Sequence, residues 1–445
     1  MATAVAAGLV LAGATPASAH GLGARTDLPL PLWMFAYGAA AALLISFAGL
    51  AVFWRTSRLE GGVPGRVLLE RGGLTRGLLL GGRALGLALF VLLLVAAIFG
   101  DPDTGDNMAP VFVYVVFWVG MTLVCALVGN LWRVVNPFDT LAAGMERLRR
   151  RAPAPYRWGR WPAVAALTGF VWLELVYPDR AQPRTLAVAI GVYALVVLAG
   201  VVRWGRGWLG QGEGFTVFFG LLGHMAPLYA DEDRRIRARP PLAGLVGLRP
   251  DAATQAVVIV ALGSTSFDGL SRTRFWIDMT RNWTSTEVAL AGTVGLVWAV
   301  SAVTLAFVGA MRVTGRLHRR RHPELTAAFV HSLVPIAFAY ALAHYFSLLV
   351  FEGQSAIALA SDPLGHGWDL FGTAANTVDF TAVSTTTIAY VQAAGIVAGH
   401  VAGVVVAHDR ALALFPAREA TRSQYPLLAA MVLFTVGGLA LLLGA

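Results

Sequence analysis

The residues most able to do chemistry in this chain are the histidines and carboxylates that fall inside or beside its apolar runs. An ionised side chain at the centre of a bilayer-spanning helix costs about 3 kcal/mol, so such residues generally pair, line water or serve a function. Toward one end of the runs, His344 lies near the close of its segment with Glu352 two turns on. Glu174 stands one turn inside the end of another segment, and Asp268 follows a third in the sequence STSFDG at 264–269. His366, Asp369 and Asp379 occupy the connection that follows the run of His344. Histidine with carboxylates is the ligand set of a hydrolytic divalent-metal site, where a bound water becomes nucleophilic near neutral pH. On that reading Asp268 and Glu174 are catalytic and His344 and Asp379 hold the metal. Scattered loop acids give the same pattern.

A second group lies deeper, toward the opposite end. His331 is about 9 Å into its run and His400 about 12 Å into the next, at a rise of about 1.5 Å per residue. Two imidazoles at similar depth on consecutive antiparallel helices suit a metal ion or a b-type haem. They suit interhelical hydrogen bonding equally well. His408 lies two turns from His400 and is rotated by roughly 80°, so it points elsewhere. His20 is a further candidate, since cleavage before it would leave a free amine beside an imidazole, a chelate for Cu(II).

The elements that must position these groups are long apolar helices. The 445-residue chain is 57% hydrophobic and 13% charged, against about a quarter charged in soluble domains. Ten candidate spans run at 32–54, 84–99, 111–134, 161–176, 185–202, 252–266, 288–311, 325–350, 385–408 and 426–443, judged against the roughly 20 residues a crossing needs. The fold class expected is therefore an all-α polytopic helical bundle in a bilayer, one transmembrane domain over 20–445. Every one of the 34 basic residues is arginine, and 28 of them fall in the connections after the odd-numbered spans. Short cytoplasmic loops collect such residues, so those connections are expected inside and both termini outside a bacterial plasma membrane. The formal charge of +9 is distributed as brackets around apolar runs and not as one stripe, which favours anionic lipid over nucleic acid as partner.

Residues 1–19 read as a secretory signal peptide, with an apolar stretch and the small-residue motif Ala17-Ser18-Ala19. The apolar segment GFTVFFGLLGHMAPL at 214–228 cannot cross without reversing every later connection, so it is expected as an interfacial or re-entrant helix at the inner face. Cys125, the one cysteine, sits in an apolar run as a small packing residue. The chain has no H-E-x-x-H, G-x-S-x-G, C-x-x-C or Walker glycine loop, which removes support for zincin, α/β-hydrolase, thiol-redox and P-loop chemistry.

Several stretches resemble a family of actinobacterial polytopic membrane proteins labelled fenitrothion hydrolase. They are HGLGARTDLPLPLWMF at 20–35, Asn136-Pro137-Phe138, SFDGLSRTRFW at 266–276, the segment 331–348, PLGHGWDLFGTA at 363–374 and GHVAGVVVAHDRAL at 399–412. The resemblance runs the length of the chain and implies cleavage of an organophosphate triester by an outward-facing metal site. It transfers no established catalytic residues. Relatives often carry a second histidine one turn before the equivalent of His344, where this chain has Ala341. Two readings from other classes stand beside the hydrolase: a non-enzymatic copper- or haem-handling protein using His331 and His400, and a small-molecule permease.

Overall fold

Lipid offers the backbone no hydrogen-bond partners, so apolar runs of this length satisfy their own N–H and C=O groups as helices. The computed structural model describes residues 30–443 apart from 61–64, 71, 232, 234 and 249. In chain order it contains α1 (Leu32–Phe53), α2 (Gly73–Phe99) and α3 (Met108–Leu127), then a surface helix α4 (Pro137–Leu148). There follow α5 (Trp161–Leu175), α6 (Pro183–Trp204), the short buried α7 (Gly214–Gly223) and α8 (Ala252–Ser271). An exposed one, α9 (Arg274–Thr280), leads to α10 (Ser285–His318), α11 (Pro323–Ser361), α12 (Thr385–Leu414) and α13 (Tyr425–Leu443). Nine of these are long and apolar enough to cross a bilayer. The tenth expected crossing is α5, whose 15 residues rise about 22 Å. It keeps pace with α8 from an Arg160–Asp251 ion pair of 3.6 Å at one end to Glu174, within electrostatic reach of Asp268, at the other. A helix that accompanies a crossing helix between both its ends crosses with it.

The connections sort cleanly into two sets. At the arginine-rich end, Trp54 and Ser57 bond Asp409, Arg83 and Arg206 both hold Asp139, and His318 meets Glu419. A small antiparallel sheet there joins β1 (Arg66–Leu69) to β3 (Ile236–Ala238), with β2 (Leu228–Ala230) on the far side of β3. At the other end, Asp101 N–H donates to Leu364 O, the Tyr114 hydroxyl to Arg180 O, and Gln354 pairs with Asp379. This grouping of connections is the one the arginine distribution implies, reached here from distances alone.

Segment 214–228 behaves as the charge pattern demands. It enters beside the Arg206–Asp139 pair, forms α7 among α3, α5 and α8, and leaves as β2 at the same end. Its backbone is hidden in protein, with Phe215, Phe218, Phe219 and Leu222 all buried. Re-entrant helices require that shielding.

Helix packing relies on missing side chains. In α12, Gly395, Gly399 and Gly403 recur every four residues and face α11. A Cβ on Gly399 would stand 2.0 Å from the Ala339 Cβ, and one on Gly403 would stand 2.7 Å from Ser332 O. Small residues at this spacing let two backbones approach closely, the usual source of helix adhesion in lipid.

Candidate functional site

Helix α8 was expected to stop at 266, leaving Asp268 in a connection. It continues to Ser271, and the reason is local. The hydroxyls of Ser264, Thr265 and Ser266 donate back to the carbonyls of Ala261 and Leu262, so the polar residues make no demand on outside partners. Asp268 is thereby carried into the bundle, one turn from the helix end and 4% exposed.

There it meets α11. His344 Nε2 lies 2.5 Å from Asp268 Oδ2, and Arg272, one turn on along α8, places its Nε 3.1 Å from Oδ1. The next residue of α11, Tyr345, donates its hydroxyl to Glu174 Oε1 of α5 at 2.7 Å. The two rings stand edge to face with centroids 5.1 Å apart, so the His–Asp contact and the Tyr–Glu bond share one wall. Three helices thus bring two carboxylates, an imidazole, a phenol and a guanidinium together. All are buried except Arg272, whose side chain is 33% exposed and connects the cluster to the surface. Burying an ion costs several kcal/mol before any attraction is counted, so this polarity is retained against its cost.

The charge count is informative. Arg272 balances one carboxylate; the second is held by a neutral phenol, with Arg180 farther off. One guanidinium thus stands against two carboxylates.

Immediately below is a closed cavity of about 20 Å³, room for one water, bordered by Trp118, Thr122, Phe218, Thr265, Ala341 and Tyr345. Its wall on α3 belongs to a π-helical stretch, Phe112–Gly120, a geometry that often marks functional sites. Beside it the re-entrant α7 supplies Phe218, stacked on Trp118, and Leu222. Ala341 contributes a methyl where the resemblance expects an imidazole. There is no room for water between His344 and Asp268: the two touch directly and both are buried.

The other sequence-derived candidates fall elsewhere. Asp379 is on the exposed loop, and the Thr381 hydroxyl and backbone N–H hold its carboxyl below the usual range. His366 is on the same loop, edge-on to Trp368, and Asp369 caps Ala374 N. Among the described residues no group of three His, Cys, Asp or Glu could hold a metal ion. At the cluster itself, Asp268 has its oxygens on His344 and Arg272, and Glu174 receives Tyr345. This donor set does not fit the hydrolytic metal centre the resemblance implies.

His331 and His400 are fully buried. Both ring nitrogens of His331 and Nε2 of His400 lack a hydrogen-bond partner, while His400 Nδ1 contacts Ile396 O at 2.9 Å. With Gly403 against Ser332 and Gly399 against Ala339, the two histidines sit roughly one helical turn apart along the helix axes. His408 is separate, as expected, with its ring between Gln424 and Trp54 O. His20 and the 1–19 segment lie outside the described residues.

Three buried or half-buried carboxylates escaped the sequence reading. Asp409 is fully buried and accepts from Trp54 Nε1, Ser57 Oγ and the N–H groups of Arg58 and Leu59. Glu213 caps α7, accepting Phe215 N and Thr216 N while Tyr193, Trp132 and Asn136 donate to it. Its position before a ten-residue apolar helix was the available signal. Asp139 lies between Arg206 and Arg83. Burial alone would raise its carboxyl, but the bonds and charges of the two arginines outweigh this and hold it below the usual range. Its share of stability is complete above the ordinary carboxylate pKa and is lost as pH falls through the lower folded value.

Compared with known protein families, characterised proteins and solved structures, the chain finds no match.

Proposed function

We propose that this protein is a proton-coupled small-molecule permease, with the Glu174–Tyr345–His344–Asp268–Arg272 cluster as its proton-binding centre. One observation carries the reading: titratable side chains from three crossing helices converge, buried, with two carboxylates against one guanidinium. Chains of Asp, Glu and His inside a bundle are the usual means of moving protons across lipid. The apolar cavity beneath, bordered by a re-entrant helix and a π-helical wall, favours a weakly polar solute, since both elements can rearrange without exposing backbone to lipid.

The hydrolase implied by the resemblance is tested with the same probe. Vesicles containing the protein and a trapped pH dye are given fenitrothion, an organophosphate triester, under an imposed pH gradient. The permease reading expects solute-dependent proton movement without phenol release, lost in Glu174→Gln. Phenol release by wild type that disappears in His344→Ala would instead establish hydrolysis through the His344–Asp268 dyad, and neither signal with a panel of weakly polar solutes would end both.

The unpartnered ring nitrogens of His331 and His400 favour a second reading, metal or haem handling. Purified protein would then carry a stoichiometric transition metal or haem that His331→Ala/His400→Ala removes. Metal-free, haem-free protein that takes up neither on incubation would discard that reading.

The arginine-rich end is assigned to the cytoplasm of a bacterial plasma membrane. Cysteines placed at Arg149, Arg235 and Arg320 in a Cys125→Ala background should be protected from an impermeant thiol reagent on intact cells. Those at Asp103 and Asp369 should react. Labelling with the opposite pattern would invert the whole assignment.

A further inference from the structure

At the arginine-rich end of α10 the chain forms a groove of about 580 Å³ bordered by Arg312, Arg316, Arg319, Arg320 and Arg321, with Gly315 and Pro323 completing it. Five guanidinium groups within ten residues repel one another, and among the described residues none is in an ion pair. Arg320 donates to Leu414 O at 3.2 Å above the Phe415 ring. The backbone is bent to gather them: Arg319 ends α10 in the left-handed conformation at φ 52°, and Arg320 N–H returns to Gly315 O. A non-glycine residue there is held against the steric preference of its Cβ. Elsewhere at the same end some arginines are matched by carboxylates, as at Asp139, Asp231 and Glu60, but five border this one groove. No described carboxylate pairs with these five arginines, which leaves the groove free to take an anion from outside the chain.

Its position narrows the source. Arg312 and Arg316 alternate with exposed Val313 and Leu317, and the exposed face of α10 continues upward through Leu305, Trp298 and Val294. In a bilayer that face meets acyl chains, and the groove lies at its foot, at headgroup level. We infer that the groove binds the phosphate of an anionic phospholipid, with the acyl chains along the exposed face of α10. Guanidinium forks match phosphate oxygens bidentately, and each clustered arginine adds to the attraction of an anionic headgroup surface. This inference is independent of the proton-binding centre.

The test uses the full-length protein in detergent, titrated with phosphatidylglycerol, phosphatidylcholine or inorganic phosphate, with bound lipid read by native mass spectrometry. Wild type should retain phosphatidylglycerol saturably over phosphatidylcholine, and Arg316→Gln/Arg319→Gln should bind it roughly tenfold more weakly or worse. Arg312, Arg320 and Arg321 remain in that variant to fix orientation, and reactivity of a cysteine at Asp369 verifies it. The control pair Arg149→Gln/Arg150→Gln, at the same end outside the groove, should bind as wild type does. Equal loss in the control pair would mean bulk surface charge only, and would overturn the site. Inorganic phosphate that competes at the concentration where it binds alone would show a free-anion site and overturn the lipid assignment. Unchanged retention in the groove variant would overturn it outright.

Discussion

Asp268→Asn is expected to destabilise the protein by about 3 kcal/mol, the lower end of the range for breaking a buried ion pair, because Arg272 can turn toward solvent. His344→Ala should cost more, since it leaves Asp268 with Arg272 alone and empties space in a packed interface. The two changes should be strongly non-additive, with the double variant little worse than the worse single one, because each removes the same 2.5 Å contact. Unfolding in mixed micelles, followed through a double-mutant cycle, measures this. Additive losses would mean that the two side chains stabilise different neighbours and that the cluster is not a unit. Glu174→Gln gives the contrast. It keeps an acceptor for the Tyr345 hydroxyl and removes only the titratable group, so stability should change by less than about 1 kcal/mol while proton coupling disappears.

The second large effect lies at the other end. Asp409→Ala should cost about 4 kcal/mol or more, because one carboxylate satisfies an indole, a hydroxyl and two backbone N–H groups, and each donor left dry costs about 1–3 kcal/mol. The connection after α1 should then become cleavable by protease near residues 55–60. Asp409→Asn should fall between, since its amide nitrogen would face donors. By contrast Arg410→Gln, which breaks the part-exposed pair with Glu60, should cost no more than about 1 kcal/mol. Protease resistance in Asp409→Ala equal to wild type would show that α1 is held by lipid-facing packing alone.

Much of this architecture was legible because lipid imposes simple rules. Apolar length marks the crossings, and arginine placement sorts their ends. The same logic keeps 214–228 from crossing, as an interfacial or re-entrant helix. Glu174, Asp268 and His344 were legible as a group because each is an ionisable residue where ionisation is expensive. What could not be read was partnership. Tyr345 is one more aromatic in an apolar run until α5 is beside it, and Asp409 looked like the polar end of a span because its four donors lie some 350 residues away. Asp379 misled for the opposite reason: as a loop acid near His344's run it resembled a ligand, yet Thr381, two residues on, already satisfies it. The end of α8 was misjudged because a serine-rich stretch lowers hydropathy without breaking a helix whose hydroxyls bond inward.

The clamp on Asp409 also has a temporal side. Helix α1 packs chiefly on α12 and α13, and the aspartate that fastens its end is made 355 residues after Trp54. At synthesis rates of roughly 5–20 residues per second, α1 waits for about 20–70 s in the membrane with neither neighbour present. The first of the described helices in chain order is therefore among the last to be locked. During that interval its seam is open to chaperones, to quality-control proteases and to the corresponding helix of a neighbouring nascent chain.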